Sequence, residues 1–257
     1  MQLSDSKVEI VRRHNKVVYR DGNRVVKVFN AAKPAQDIFN EALNCARIQE
    51  AGVRAPRILE VSQIEDGSWA LANEYIPSEK LSTFMRNASG DELKAYMDQF
   101  VDLQLEIQAI PAPMLLNNQK RKLIGMVSSV KELDPTVRYD LQMRADGMRN
   151  GRTICHGDFN PSNVLIPEDG SKPYVCDWAH VSRGVPEADA AMTYLELSLE
   201  QPDWAELYLD TYSIKSDIPK QMIRYWLPVL AAAELSRGRK IYDEFLLGWI
   251  NAAADFE

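Results

Sequence analysis

Ile154-Cys155-His156-Gly157-Asp158-Phe159-Asn160-Pro161-Ser162-Asn163-Val164-Leu165-Ile166 is the densest run of polar chemistry in the chain. An Asp and an Asn stand five residues apart on a loop that runs into an apolar strand. Fourteen residues after Asn163 comes Asp177, in Val175-Cys176-Asp177-Trp178. The turn residues Pro167-Glu168-Asp169-Gly170 lie between, so Asn163–Ile166 and Tyr174–Asp177 read as the arms of a hairpin. A hairpin that short brings Asn163 and Asp177 close together. Two oxygen donors held this way suit Mg²⁺, which takes one or two carboxylates and leaves its other positions to water and phosphate oxygens.

Upstream of this loop the chain opens with strands. Val8–Val11, Lys16–Arg20 and Arg24–Phe29 are β-branched runs, and Asp21-Gly22-Asn23 between the last two is a hairpin signal. Pro34 opens a helix in which Ile38, Ala42, Leu43, Ala46 and Ile48 recur at near-helical spacing, and Gly52 fits its stop. Arg57–Val61 and Trp69–Ile76 read as two more strands, joined at Glu65–Ser68. After Pro77 the pattern turns helical. Ser89 is a candidate cap, and Leu93, Met97, Phe100, Leu103, Ile107 and Ile110 form one stripe that ends at Pro111 and Pro113. From Asp189 onward the chain is helical again. Strands first and helices later, with one embedded hairpin, is an α+β order. It predicts a small antiparallel-sheet lobe over 1–77 and a larger, mainly helical lobe over 78–257.

Composition narrows the class without choosing it. With 257 residues, 46% hydrophobic and 26% charged, the chain is ordinary globular material. Cys45, Cys155 and Cys176 form no CxxC, which argues against a disulfide scaffold or zinc ribbon and for a reducing, cytoplasmic compartment. The start, MQLSDSKVEIV, has no apolar core of a secretory signal, and no apolar run approaches the roughly 18 residues of a membrane span. A net charge of −7 weighs against nucleic acid as partner. The charge is uneven: residues 1–60 carry 11 Lys+Arg against 7 Asp+Glu, and the remainder carries 19 against 30. Neither GxGxxG nor GxxxxGK[ST] occurs, against a dinucleotide fold or a P-loop.

The pattern H-G-D-x4-N (His156, Gly157, Asp158, Asn163) followed by Asp177-Trp178 resembles the aminoglycoside phosphotransferase and choline kinase-like family, which has the protein-kinase-like bilobal fold. The resemblance extends over most of the chain. Lys27 on the third strand is placed like that family's ATP lysine, and Glu41 on the next helix like its ion-pair partner. Asn73-Glu74-Tyr75-Ile76 looks like the hinge that holds adenine, and Pro186, Asp189 and Ala190 resemble its P-x-x-D-A step. The resemblance implies an ATP- and Mg²⁺-dependent kinase acting on a hydroxyl of a small molecule, such as an amino sugar, aminoglycoside or amino alcohol. Asp158 would then receive or orient the hydroxyl proton, Asn163 and Asp177 would hold Mg²⁺, and Lys27, fixed by Glu41, would pair with phosphates. The Glu74 carbonyl and Ile76 N–H would read the adenine edge. His156 would brace the loop, and Cys155 and Cys176 would be packing residues. His180 and Arg183 are secondary candidates for substrate or phosphate contact.

Three departures stand out. The turn Arg12-Arg13-His14-Asn15-Lys16, expected to cover phosphate, has no glycine to let backbone approach, so side-chain cations would have to compensate. It also leaves a nucleotide other than ATP open. Position 160 is Asn rather than the lysine of many protein kinases, and no A-P-E follows Asp177, which favours a small-molecule acceptor. The competing reading is a pseudokinase or nucleotide-binding regulatory module without turnover. The aromatic residues Trp178, Tyr194, Trp204, Tyr208, Tyr212, Tyr225, Trp226 and Trp249 read as core, with a box for a quaternary ammonium as the alternative.

Overall fold

The computed structural model of the protein describes residues 1–251. Its strands are β1 (Val8–Arg12), β2 (Lys16–Asp21), β3 (Arg24–Phe29), β4 (Ile58–Gln63), β5 (Trp69–Glu74), β6 (Ser78–Lys80), β7 (Thr153–Cys155), β8 (Val164–Pro167), β9 (Tyr174–Val175) and β10 (Ser182–Gly184). Its α-helices are α1 (Ala35–Glu50), α2 (Leu81–Asn87), α3 (Gly90–Gln108), α4 (Gln119–Ser129), α5 (Pro135–Gly147), α6 (Pro186–Glu200), α7 (Pro202–Ser216), α8 (Lys220–Arg224), α9 (Leu227–Leu235) and α10 (Asp243–Asn251). No helix among the described residues is long and apolar enough to cross a membrane. Two compact units divide the chain: Met1–Phe84 with Pro161–His180, and Met85–Asn160 with Val181 onward.

The first unit is built on a five-stranded antiparallel sheet in the order β1-β2-β3-β5-β4. Asp21 pairs with Arg24 across a two-residue turn in which Gly22 has φ 62°, a conformation that penalises a Cβ. Side chains alternate between faces along a strand. On β3, Val26 and Val28 pack with Ala70 and Ala72 on one face, while Phe29 packs with Ile38 and Leu71 on the other, under α1. Lys27 shares its parity with Phe29 and therefore points to the α1 side. Beyond Glu74 the chain leaves the sheet two residues earlier than expected, and the Tyr75 N–H donates to the Asn23 carbonyl at 2.9 Å. A smaller sheet, β6-β8-β9, completes this unit, with Val164 opposite Val175 and Leu165 opposite Tyr174. Short 3-10 turns at Pro161–Asn163 and Trp178–His180 flank that hairpin. Trp178 is buried, and its indole N–H donates to the Val175 carbonyl at 2.8 Å.

The second unit is helical apart from the antiparallel pair β7-β10. Of the expected α3 stripe, Met97, Phe100 and Ile107 are buried, whereas Leu93, Leu103 and Ile110 are half-buried. Gln104, a polar residue, is buried in the same helix. Ser89 does take the N-cap position of α3, but its side chain makes no capping bond. Tyr194, Trp204, Tyr208, Tyr212 and Trp226 are buried packing residues, and Tyr225 is exposed. The core reading of these aromatics therefore accounts for most of them.

Candidate active site

In the first unit, four charged side chains meet around Asp177. Lys27 Nζ donates to Glu41 Oε1 at 2.6 Å and to Asp177 Oδ1 at 2.9 Å. Lys16 Nζ reaches Asp177 Oδ2 at 3.3 Å. Each oxygen of Asp177 thus faces its own ammonium group. The local reasons are visible in the elements. Ile38, Glu41, Cys45 and Ile48 form the buried stripe of α1, so a carboxylate occupies a position where an apolar residue would normally sit. A buried charge is tolerated only when paired, and Lys27 supplies the pairing. Burial alone would lower the Lys27 ammonium, but Asp177 and then Glu41 outweigh it and hold the pKa above the usual lysine value. Burial would likewise raise Asp177, yet Lys27 and Lys16 hold it well below the usual carboxylate range. Asp177 has φ 64°, a left-handed backbone conformation rare for a residue with a side chain, which directs its carboxylate off the end of β9.

Asn163 closes the 3-10 turn before β8, and its carbonyl accepts the Cys176 N–H at 2.9 Å. That bond ties the two arms together next to Asp177. The hairpin thus brings Asn163 beside the Asp177 segment. The donor set fits a hard divalent cation: one carboxylate that already attracts two ammonium groups, and one side-chain amide on the neighbouring arm. At the hinge segment, the Glu74 side chain is held by Arg57, with Nε to Oε2 at 2.8 Å, and the Glu74 N–H donates to the Arg57 carbonyl at 2.8 Å. The Ile76 carbonyl accepts the Ser78 hydroxyl at 2.9 Å.

In the second unit, Asp158 sits just past β7 on a loop braced from three helices. Gly157 has φ 74°, and its N–H donates to Asp189 Oδ1 at 2.9 Å. Asp189 Oδ2 accepts Gln108 Nε2 at 3.1 Å and Gln104 Nε2 at 3.2 Å. The phenols of Tyr208 and Tyr212 donate to the Gln104 and Gln108 carbonyl oxygens at 2.6 and 2.7 Å. Gln104 and Gln108 on α3, and Tyr208 and Tyr212 on α7, are each one helical turn apart, so the two pairs register on facing stripes. Phe159 stacks on Phe100 with centroids 4.6 Å apart, and the buried His156 ring meets Phe159 edge-on at 5.9 Å. Asn160 Nδ2 donates to Asp158 Oδ1 at 3.0 Å and so orients that carboxylate.

Burial first, and the Asp158 carboxylate second, push the Glu196 carboxyl well above its usual range. Arg237 lies 3.6 Å from Glu196. Lys122 is pushed down to about 8, by burial first and by Arg237 second, with Glu234 and Asp158 opposing the shift. Of the secondary candidates, His180 ends the 3-10 turn after Asp177, and the Arg183 guanidinium lies on the Met114 sulfur at 3.2 Å. Cys45 and Cys155 are buried, as packing residues are, and Cys176 is half-buried.

Gln104, Gln108 and Glu196 do not emerge from the sequence, Tyr208 and Tyr212 read there as core, Asp189 is marked only through the P-x-x-D-A resemblance, and Lys16 only as one cation of the turn expected to cover phosphate. Gln104 carried a signal, a polar residue inside an apolar stripe, and so did the matching four-residue spacing of the Gln and Tyr pairs. Asp189→Ala is expected to cost about 3 kcal/mol, because it strands the Gly157 N–H and two glutamine amides in a buried place. A urea unfolding series measures this directly, and an unchanged midpoint and slope would refute the bracing role.

Comparisons with known proteins bear on the family and the fold. The profile of the phosphotransferase enzyme family matches residues 12–222. No curated protein matches the sequence. Among solved structures, a thermostable mutant of aminoglycoside phosphotransferase APH(4)-Ia, in ternary complex with AMP-PNP and hygromycin B, superposes with a TM-score of 0.71 at 13% identity, covering 98% of this chain and 92% of that one. Choline kinase LicA from Streptococcus pneumoniae gives 0.65 at 18% identity, with 98% and 93% covered. A GDP complex of aminoglycoside 2'-phosphotransferase-IIIa gives 0.60 at 16%, with 98% and 90% covered. These likenesses establish the protein-kinase-like α+β fold. With a matched profile that takes in Lys27, Glu41, Asp158, Asn163 and Asp177, the chain belongs to the phosphotransferase enzyme family.

Proposed function

We propose that this protein transfers the γ-phosphoryl group of ATP, with Mg²⁺, to a hydroxyl of a small molecule such as an amino sugar, aminoglycoside or amino alcohol. The observation that carries this reading is the cluster in which Lys27 contacts both Glu41 and Asp177. A buried lysine locked between two carboxylates is costly for stability alone, yet it suits a site that receives a polyphosphate and its cation. When bound, the nucleotide supplies the phosphoryl group and the metal neutralises its developing charge.

The chain's own residues do the rest. Asp158 takes or orients the acceptor's hydroxyl proton, with Asn160 holding its carboxylate in direction. Lys27 pairs with phosphate oxygens while Glu41 fixes where its ammonium points. Asp177 and Asn163 hold the cation. The backbone of Glu74 and Ile76 reads the base. Asp189 acts at one remove, through the Gly157 N–H.

The test is ATP consumption with Mg²⁺ against a panel of amino sugars, aminoglycosides, amino alcohols and sugars, run in parallel with GTP. One or more acceptors should give saturable phosphoryl transfer. Nucleotide binding by thermal shift without turnover on any acceptor would favour the binding-module alternative, which the glycine-free turn before Lys16 supports.

A further inference from the structure

The β1–β2 turn has no glycine where a phosphate would need close approach to backbone. The Arg13 N–H donates to the Lys16 carbonyl at 2.8 Å, the Asn30 side chain donates to the His14 carbonyl at 2.8 Å, and the Asn30 N–H donates to the Asn15 carbonyl at 3.1 Å. The turn is thus tied to itself and to the end of β3, without a glycine to let a phosphate approach its amides. What the turn does offer is one side chain. Lys16 starts β2, keeps only 19% of its side-chain surface exposed, and places Nζ 3.3 Å from Asp177 Oδ2. Asp177 Oδ1 is taken by Lys27 at 2.9 Å. If a cation on Asp177 also held a phosphate oxygen, the Lys16 ammonium would be the neighbouring side chain to receive it. Lysine binds phosphate as a point charge with three donors, and it needs no backbone geometry to do so.

Resting on the nucleotide reading above, we propose that Lys16 is a second phosphate-binding cation, which supplies by side chain what a glycine-free turn offers less readily by backbone. In the nucleotide-free protein it sits on Asp177, in competition with the metal. Arrival of the metal on Asp177 displaces the ammonium, and the incoming phosphate receives it.

The proposal has a two-signed signature in binding experiments. Isothermal titration of wild type, Lys16→Met and Lys16→Gln is carried out with three probes: AMP-PNP with Mg²⁺, adenosine, and Mn²⁺ alone. Loss of a charge-assisted bond of about 1.5–3 kcal/mol weakens AMP-PNP binding roughly 10- to 100-fold. Adenosine, which has no phosphate, binds unchanged, and Mn²⁺ alone binds more tightly because its competitor is gone. Wild type that binds AMP-PNP while both variants bind it equally well overturns the Lys16 assignment and leaves the nucleotide reading standing. Equal weakening of adenosine and AMP-PNP overturns it as well, since that marks a structural effect. Wild type that binds neither AMP-PNP nor adenosine overturns the nucleotide reading, and this proposal with it.

Discussion

Asp158→Asn is expected to lower turnover by about 10²–10⁴-fold, the range for losing a positioned proton-handling group. The carboxamide keeps the size of the carboxylate but cannot take the proton of an acceptor hydroxyl. Nucleotide binding survives, because Lys16, Lys27, Glu41 and Asp177 form their contacts without Asp158. The loop should also survive, since Gly157 keeps its bond to Asp189, Phe159 its stacking on Phe100, and His156 its edge contact with Phe159. The measurement is single-turnover kinetics with the best acceptor from the panel, alongside AMP-PNP titration. Normal turnover would remove Asp158 from the mechanism. Equal loss of turnover and of AMP-PNP binding would assign it a structural part instead.

Lys27→Met has two effects that separate on a second substitution. It removes a preorganised charge from the transferring phosphoryl group, which is worth on the order of 10²–10³ in turnover. It also strands Glu41, whose side chain is 6% exposed, without its ammonium partner. Removing one member of a buried pair costs about 3–5 kcal/mol. Adding Glu41→Leu replaces the pair by apolar surface on a stripe already lined by Ile38, Cys45 and Ile48, and should recover most of the stability. Turnover stays lost. Thermal melts of the two single variants and the double variant form a double-mutant cycle whose coupling measures the pair. A double variant as unstable as Lys27→Met would show that Glu41 does not depend on Lys27. A double variant that recovers turnover would show that Lys27 is structural only.

Much of the N-terminal sheet was legible because its signals are local. Alternation of β-branched residues marks β2 and β3, and Asp21-Gly22 marks their turn through a backbone conformation that glycine reaches freely. The length of β5 was less legible, since Tyr75 and Ile76 continue the strand-like composition of Trp69–Ala72, while the pairing partner of the Tyr75 N–H is the carbonyl of Asn23 rather than a strand neighbour. Ser89 shows the same limit at a helix start: residue type named the cap position, but the side-chain bond depends on rotamer and surroundings.

The sequence by itself pointed to the family and to the loop that carries its candidate residues. His156-Gly157-Asp158, Asn163 and Asp177 lie within 22 residues, so their spacing is readable without any distant contact. Strand parity puts Lys27 on the face of Phe29, and the structure shows that α1 covers that face. Only the tertiary structure decided which side chains meet across long separations. Lys16 joins Asp177 over 161 positions, and Gln104 joins Tyr208 over 104. It also placed Pro161–His180 with the sheet and Asp158 with the helices. The physical reason is that periodicity specifies which face of an element is buried, whereas the partner opposite that face is set by how elements pack. The sequence marks several cations in a glycine-free turn, and only the structure shows that Lys16 is the one held 3.3 Å from Asp177.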